Sequence, residues 1–152
     1  MAADGEGSGV SAGKGVFMDF ATLIRASSPN SWLVAPKGLE IPPPPPDGES
    51  PVFNVPPTDL AQAWIAIIKR QPRVTVVAVS PDGRHIEARQ VSKVFGFIDD
   101  ISAAIVPLGA TGSTIAVYSR SRVGYWDLGV NRARVRAWLA ALSERIATTG
   151  RD

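Results

Sequence analysis

Nine of the 13 prolines lie between Pro36 and Pro57, and five of them are consecutive, from Pro42 to Pro46. Proline has no amide hydrogen and a fixed φ, so a stretch this rich in proline cannot form a regular helix or a central strand. The consecutive prolines favour a polyproline II conformation. We therefore predict an extended strap that packs on a compact domain, rather than a docking ligand for a proline-recognition module.

The strap divides the 152 residues into four parts. Residues 1–15 are mostly Gly, Ala and Ser and are predicted to form a disordered tail. Residues 16–57 are predicted to form an N-terminal docking segment and the Pro-rich strap, residues 58–147 the compact domain, and residues 148–152 a C-terminal tail. The apolar side chains predicted to anchor the strap on the domain are Phe17, Phe20, Leu23, Trp32 and Phe53.

From residue 58 onward, the sequence predicts a helix, four strands and a second helix. Thr58 can cap the first helix, and Pro72 ends it. An apolar stripe predicts the last helix over residues 130–146. Because the connections are short, neighbouring strands must be antiparallel. The predicted fold class is α+β, with a four-stranded antiparallel sheet covered by two helices. The four strands are predicted over residues 74–79, 85–91, 94–106 and 113–119.

The composition excludes several classes of protein. The chain has no cysteine, which excludes disulfides, thiolate catalysis and cysteine-ligated metals. It has no apolar run of about 18 residues, as a membrane-spanning helix requires. Its first residues lack the basic and apolar regions of a secretory signal. We therefore expect a cytoplasmic protein that is not transmembrane, and we predict no metal site and no cofactor.

Positive charge is concentrated in one segment. The formal net charge is only +2, whereas residues 119–136 contain five arginines and one acid, Asp127. A nucleic-acid binder usually has a broad basic face, so a nucleic-acid partner is not favoured. Tyr125 and Trp126 could stack on bases, but one short cluster is weak support, and packing is the better interpretation.

This segment joins the fourth predicted strand to the last helix. A helix N-terminus exposes unpaired N–H groups and favours anions. Arg120 and Arg122 share one face of an extended segment, and Arg132 and Arg136 share one face of a helix. The pattern predicts either an anion site or a structural ion-pair network at this junction. Its candidate residues are Ser119, Arg120, Ser121, Arg122, Asp127, Asn131 and Arg132, with Asp99 and Asp100 as partners.

The junction also resembles the signature of a known family. The string S-R-S-R-V-G-Y-W-D-L-G-V-N-R, from Ser119 to Arg132, is similar to that of the bacterial and plastid domain-of-unknown-function family 1499. Residues 27–30 and 97–100 agree with it, and the resemblance covers about residues 16–146. It implies no established activity, substrate or cofactor. Many members carry cysteines at the places of Ala26 and Ser31, so a role tied to those cysteines does not carry over.

Three hypotheses for function follow. In the first, the chain is a non-catalytic binding or accessory module whose arginines hold an anionic small molecule or an acidic partner protein. Against it stands the structural interpretation, in which Asp99, Asp100 and Asp127 neutralise the arginines. In the second, the chain is an enzyme that uses Asp127 or Asp99, with the arginines stabilising an anionic transition state. In the third, it is a subunit of a larger assembly, with the strap as its gripping arm.

Catalytic patterns are weak. Asp99 and Asp100 are adjacent in a predicted strand and point to opposite faces, so their carboxylates do not converge. His85 is the only histidine. It lies on the polar face of a strand, and no Gly-x-Ser-x-Gly motif accompanies it. We therefore predict no catalytic residue, favour a binding role over an enzyme, and place His85 at the surface.

Overall fold

The computed structural model describes residues 17–25, 29–124 and 126–149. The tail predicted over residues 1–15 lies outside them, as does Tyr125. A single 3-10 turn covers Phe20–Thr22, and the two α-helices are α1 (Pro57–Lys69) and α2 (Val130–Thr149). The strands are β1 (Ser31–Ala35), β2 (Gly48–Glu49), β3 (Val52–Phe53), β4 (Val74–Val79), β5 (His85–Val91), β6 (Ile98–Leu108) and β7 (Gly112–Ser121).

These seven strands form one mixed sheet. Six of them lie in the order β2-β1-β7-β6-β5-β4, and the two-residue strand β3 pairs with the beginning of β7. Strands β1 and β2 run parallel, and the other pairs are antiparallel. With two helices beside this sheet, the fold is α+β.

The prediction of a four-stranded antiparallel sheet is therefore wrong in strand number and in its purely antiparallel pairing. The four predicted strands exist as β4 to β7, but residues 31–53 add three more. Without β1, one edge of β7 would present unpaired N–H and C=O groups, and β1 pairs with them while burying Leu33, Val34 and Ala35. The consecutive prolines lie between β1 and β2, so they do not interrupt a strand.

One face of the sheet is covered by both helices. The rings of Trp64 from α1 and Trp138 from α2 pack edge to face, with centroids 5.9 Å apart, above Ile101 and Val117 of the sheet. Burying a large apolar side chain of this kind stabilises the fold by about 2–3 kcal/mol. Helix α1 starts at Pro57, a position where the missing proline N–H is tolerated. Thr58 therefore lies inside the helix and does not serve as its cap.

The N-terminal segment covers the opposite face. Phe20 and Leu23 are buried against Ala116 and Tyr118 of β7. The carboxylate of Asp19 accepts a hydrogen bond from the Ala21 amide and so caps the 3-10 turn. Residues 17–24 thus form a third layer over a sheet face that would otherwise expose apolar side chains to water.

Several element boundaries differ from the prediction, and β6 and β7 extend to Leu108 and over Gly112–Ser121. Strand β6 begins at Ile98 rather than at residue 94, because the chain turns through Gly96, whose φ is 69°. Helix α2 ends at Thr149, beyond the predicted residue 146. Within the described ranges, neither helix combines the length and the apolar character needed to cross a membrane.

Candidate functional site

Three distant segments meet where β7 leads into α2. The Arg122 amide donates to the carbonyl of Ile98 at 3.1 Å, next to the start of β6. The side-chain amide of Asn30, just before β1, donates to the carbonyl of Gly124 at 2.7 Å. Gly124 has a φ of 88°, which a residue with a Cβ rarely adopts. The candidate site is therefore assembled by long-range contacts around the loop of residues 122–129.

Asn131, in the first turn of α2, is the centre of this junction and is fully buried. Its Nδ2 lies within hydrogen-bonding distance of the Asn30 carbonyl (2.9 Å), the Ser121 hydroxyl (2.9 Å) and the Asp127 carboxylate (2.6 Å). Its Oδ1 accepts from the Ser119 hydroxyl at 2.6 Å. Four predicted site residues thus converge in one buried polar cluster.

Asp127 serves as the cap of α2. One carboxylate oxygen accepts from the Gly129 amide at 2.9 Å, and the other accepts from the Asn131 amide at 3.1 Å. A carboxylate at this position satisfies free N–H groups and complements the positive end of the helix dipole. The helix N-terminus that we expected to favour an external anion is therefore already occupied by an acid of the chain itself.

Arg134 connects this cluster to the middle of the sheet. Its side chain is 8% exposed, and its Nη2 pairs with the Asp99 carboxylate at 2.8 Å. Its Nε donates to the Gln90 side chain at 2.7 Å, and its Nη1 donates to Asn131 Oδ1 at 2.7 Å and to the Ser119 hydroxyl at 3.0 Å. A guanidinium with this many internal partners holds β5, β6, β7 and α2 together.

Asp100 and Arg122 form a second pair on the other face of the sheet. The Nε and Nη2 of Arg122 contact the two Asp100 oxygens at 2.7 and 2.9 Å. Asp99 and Asp100 were predicted to point to opposite faces of the sheet, and this is confirmed. Asp99 pairs with Arg134 on the face covered by the helices, and Asp100 pairs with Arg122 on the other face. The Arg122 side chain is 49% exposed, so solvent screening leaves this pair with little effect on stability.

Arg120 also points away from the helices. Its Nη1 donates to the Ser102 hydroxyl at 2.8 Å, and its guanidinium lies over the Tyr118 ring, 4.9 Å from the centroid. The Ser102 hydroxyl donates to the carboxylate of Glu87 at 2.5 Å. Since Arg132 is on α2, the three arginines predicted to share one ligand lie on two sides of the sheet.

The Glu87 carboxylate, which accepts from Ser102, is buried on this face of the sheet. It also accepts a hydrogen bond from the Met18 amide at 2.9 Å. Burial raises the pKa of the Glu87 carboxyl. The hydrogen bonds from Ser102 and Met18 and the nearby charge of Arg120 lower the same pKa, but their combined effect is smaller. The charged form is thus less favourable in the folded protein than in water.

We expect Glu87→Gln to change how stability depends on pH. A carboxyl with a raised pKa stabilises the fold below its unfolded-state pKa of about 4, and this contribution is lost as pH rises through the folded-state pKa. Denaturation at a series of pH values should therefore show the wild type losing stability relative to Glu87→Gln above about pH 4. A difference between the two proteins that does not vary with pH would contradict this.

A cleft of about 440 Å³ opens on the helix side of the junction. The guanidinium of Arg132 lies over the ring of Trp32, 5.1 Å from the centroid, and Trp126 is exposed beside it. Among the described residues, Arg132 has no carboxylate partner. The cleft combines aromatic walls with a free positive charge. Its lining also includes Arg25, Pro44, Pro45 and Asp47.

His85 is half-buried rather than fully at the surface. Its ring lies 6.2 Å from that of Phe17, and within the described residues its buried Nδ1 has no hydrogen-bond partner. Across residues 17–25, 29–124 and 126–149, no group of three His, Asp or Glu residues could hold a metal ion.

Sequence reasoning missed several residues of the junction. Arg134 was counted in the basic segment but not named as a site residue, although its spacing of three from Asn131 places both on one helix face. Asn30 was noted only as part of the family resemblance. Glu87 and Ser102 carried no signal, because their contact depends on the register between β5 and β6.

Comparison with known proteins gives a family match and two weak structural likenesses. The model of DUF1499, described as a protein of unknown function, matches residues 26–142. A START superfamily protein from Mycobacterium smegmatis is similar at 14% identity and a TM-score of 0.39, covering 66% of this chain and 95% of that chain. A protein from Thermus thermophilus has the same identity and coverage and a TM-score of 0.35. Neither likeness is close enough to indicate a function. No curated protein matches the sequence.

Proposed function

We propose that this chain, which belongs to the DUF1499 family of proteins of unknown function, is a binding module that holds an anionic group beside Arg132. The group is a carboxylate or phosphate, carried by a small molecule or by an acidic segment of a partner protein. The observation that carries the proposal is the exposed guanidinium of Arg132, stacked on Trp32 at the wall of the cleft.

The distribution of charge supports this choice among the arginines. Arg122 and Arg134 are paired with carboxylates, and Arg120 donates to Ser102 and Tyr118 on the opposite face. Arg132 lacks such a partner within the described residues. Stacking on an indole ring leaves the N–H groups at the edge of the guanidinium free to form two parallel bonds with a carboxylate or phosphate.

Arg25 supports the proposal from the other side of the cleft. Its side chain is 9% exposed and is paired with Asp47, yet its buried Nε has no hydrogen-bond partner among the described residues. An unsatisfied buried donor is unfavourable, and Arg25 is among the residues that line the cleft. Two guanidinium groups therefore border the same space. The carboxylates of Asp47 and Asp127 border it too, and they are engaged by Arg25 and by the amides at the start of α2.

A binding role is favoured over the enzyme hypothesis because the proposed acids are engaged elsewhere. Asp127 accepts from two helix amides and from Asn131, and Asp99 is paired with Arg134. Carboxylates that already hold the fold together are poor candidates for proton transfer during turnover.

The binding proposal predicts a loss of affinity in Arg132→Ala. With phenyl phosphate as the probe, the indole N–H signals of Trp32 and Trp126 should shift in a two-dimensional NMR titration. Trp64 and Trp138, buried between the helices and the sheet, serve as internal references. Losing a charged hydrogen-bond donor should weaken the free energy of binding by about 1.5–3 kcal/mol, so the affinity for phenyl phosphate should fall about tenfold or more.

Arg136→Ala is the matched control, because Arg136 is an exposed arginine on the same helix outside the cleft. It removes the same charge and should leave the phenyl phosphate titration nearly unchanged. Uncharged benzyl alcohol should bind much more weakly than phenyl phosphate. Equal losses in the two variants, or equal binding of the two probes, would contradict a specific anion site at Arg132.

A further inference from the structure

Two loops expose large apolar side chains at the same end of the sheet. The apolar tip, as we call it, comprises the exposed side chains of Val94, Phe95, Phe97, Val123, Trp126 and Leu128. Val94, Phe95 and Leu128 are 79%, 73% and 74% exposed. A monomeric soluble protein rarely exposes a contiguous apolar patch without using it for an interaction.

The loops lie side by side because of the strand order. Residues 92–97 connect β5 to β6, and the loop is closed by a 2.8 Å hydrogen bond from the Ser92 amide to the Phe97 carbonyl. Residues 122–129 leave β7, the strand next to β6, and the Arg122 amide donates to the carbonyl of Ile98. Both loops therefore project from neighbouring strands in the same direction.

The side chains of the apolar tip are held outward by the structure. The rings of Phe95 and Phe97 stack on each other, with centroids 5.3 Å apart, and both stay exposed. Leu128 has a φ of 56°, a left-handed conformation that is unfavourable for a leucine. A strained backbone that presents a leucine to solvent is more typical of a functional surface than of a solvated loop.

Basic side chains lie on one side of the apolar tip, at the ends of β4 and β5. Arg73, Arg89 and Lys93 are exposed at or near this end of the sheet. Within the described residues, none of these three has a carboxylate partner, whereas the nearby Asp99 and Asp100 are both neutralised by arginines. This end of the molecule therefore presents aromatic and aliphatic side chains with an excess of positive charge behind them.

We infer that the apolar tip docks on an anionic lipid bilayer. Aromatic side chains are favoured at the membrane interface, and basic residues near the surface are attracted to anionic headgroups. Apart from Trp126, which borders the cleft beside Arg132, the apolar side chains stand on two projecting loops. This shape suits shallow insertion among lipids better than a protein partner. This surface does not involve Arg132 and goes beyond the anion-binding proposal.

The inference is tested by sedimentation of the full chain with vesicles. The wild type should bind vesicles of phosphatidylcholine containing one third phosphatidylglycerol, bind phosphatidylcholine alone much more weakly, and dissociate at high salt. Phe95→Ser combined with Phe97→Ser should lower binding about tenfold or more, because two inserting rings are lost. Quenching of Trp126 by brominated lipids should accompany binding and disappear in Trp126→Phe.

Val52→Ser is the matched control, since Val52 is 70% exposed at the other end of the sheet. It should bind vesicles like the wild type. Thermal unfolding should be unchanged in all these variants, because the replaced side chains are exposed. No vesicle binding, equal binding to both lipid compositions, or equal losses in Val52→Ser and the phenylalanine variant would overturn the inference. Arg132→Ala should leave vesicle binding intact, so the two proposals can fail separately.

Discussion

Replacing Arg134 with methionine is expected to lower the free energy of unfolding by about 3 to 5 kcal/mol. Methionine keeps much of the side-chain volume but removes every donor. The Asp99 carboxylate, only 14% exposed, then loses its partner, and so does the Gln90 side chain. Asn131 Oδ1 keeps only the Ser119 hydroxyl. An uncompensated charge this deeply buried is far less favourable than the intact pair. Urea denaturation followed by circular dichroism measures the change.

Two further variants test the reason for this loss. Arg136→Met removes an exposed arginine two positions along the same helix and should change stability by less than about 0.5 kcal/mol. Adding Asp99→Asn to Arg134→Met removes the orphaned charge and should recover part of the lost stability. A loss below about 1 kcal/mol in Arg134→Met would show that water replaces the guanidinium and that the pair is not a structural element.

Replacing Asn131 with alanine should have the second largest effect, a loss of about 3 kcal/mol. The side chain is fully buried and is the shared partner of Ser119, Ser121, Asp127 and Asn30. Alanine leaves several buried polar groups without partners and creates a cavity beside the start of α2. The same denaturation experiment measures this change.

Ser121→Ala provides the comparison for Asn131→Ala, because it removes one contact of the cluster and leaves the asparagine in place. It should lower stability by about 1 kcal/mol. Amide hydrogen exchange should also quicken in the first turn of α2 in the asparagine variant, since Asp127 would lose a donor that holds its carboxylate at the cap. If both variants had the same small effect, Asn131 would not be the centre of the junction.

Much of the fold could be predicted from local patterns. Local patterns such as the apolar stripe of α2, the stop of α1 before Pro72 and the alternation in β5 were sufficient to predict two helices and four strands. The strands of residues 31–53 were missed because prolines on both sides of Leu33 and Val34 suggest a strap. Whether such a short segment becomes a strand depends on an open sheet edge nearby, which only the tertiary structure provides.

Four residues named from the sequence are in contact at the junction, but which charged side chains pair there was only partly predictable. Adjacency in a strand was sufficient to place Asp99 and Asp100 on opposite faces. Arg120 and Arg132 were expected to bind one ligand because they are close in the sequence. In the structure, they lie on opposite sides of the sheet. Which acid neutralises which arginine depends on strand register and helix position, and neither is encoded in a short stretch of sequence.

The hydrogen bond between Asn131 and the Asn30 carbonyl joins residues 101 positions apart. During synthesis on a ribosome, β1 therefore emerges long before β7, the strand that it pairs with, has been made. Until then, β1 cannot form its antiparallel ladder with β7, and the prolines that follow it shorten the stretch that could aggregate. The order of translation thus makes docking of the first strand a late event in the maturation of this protein.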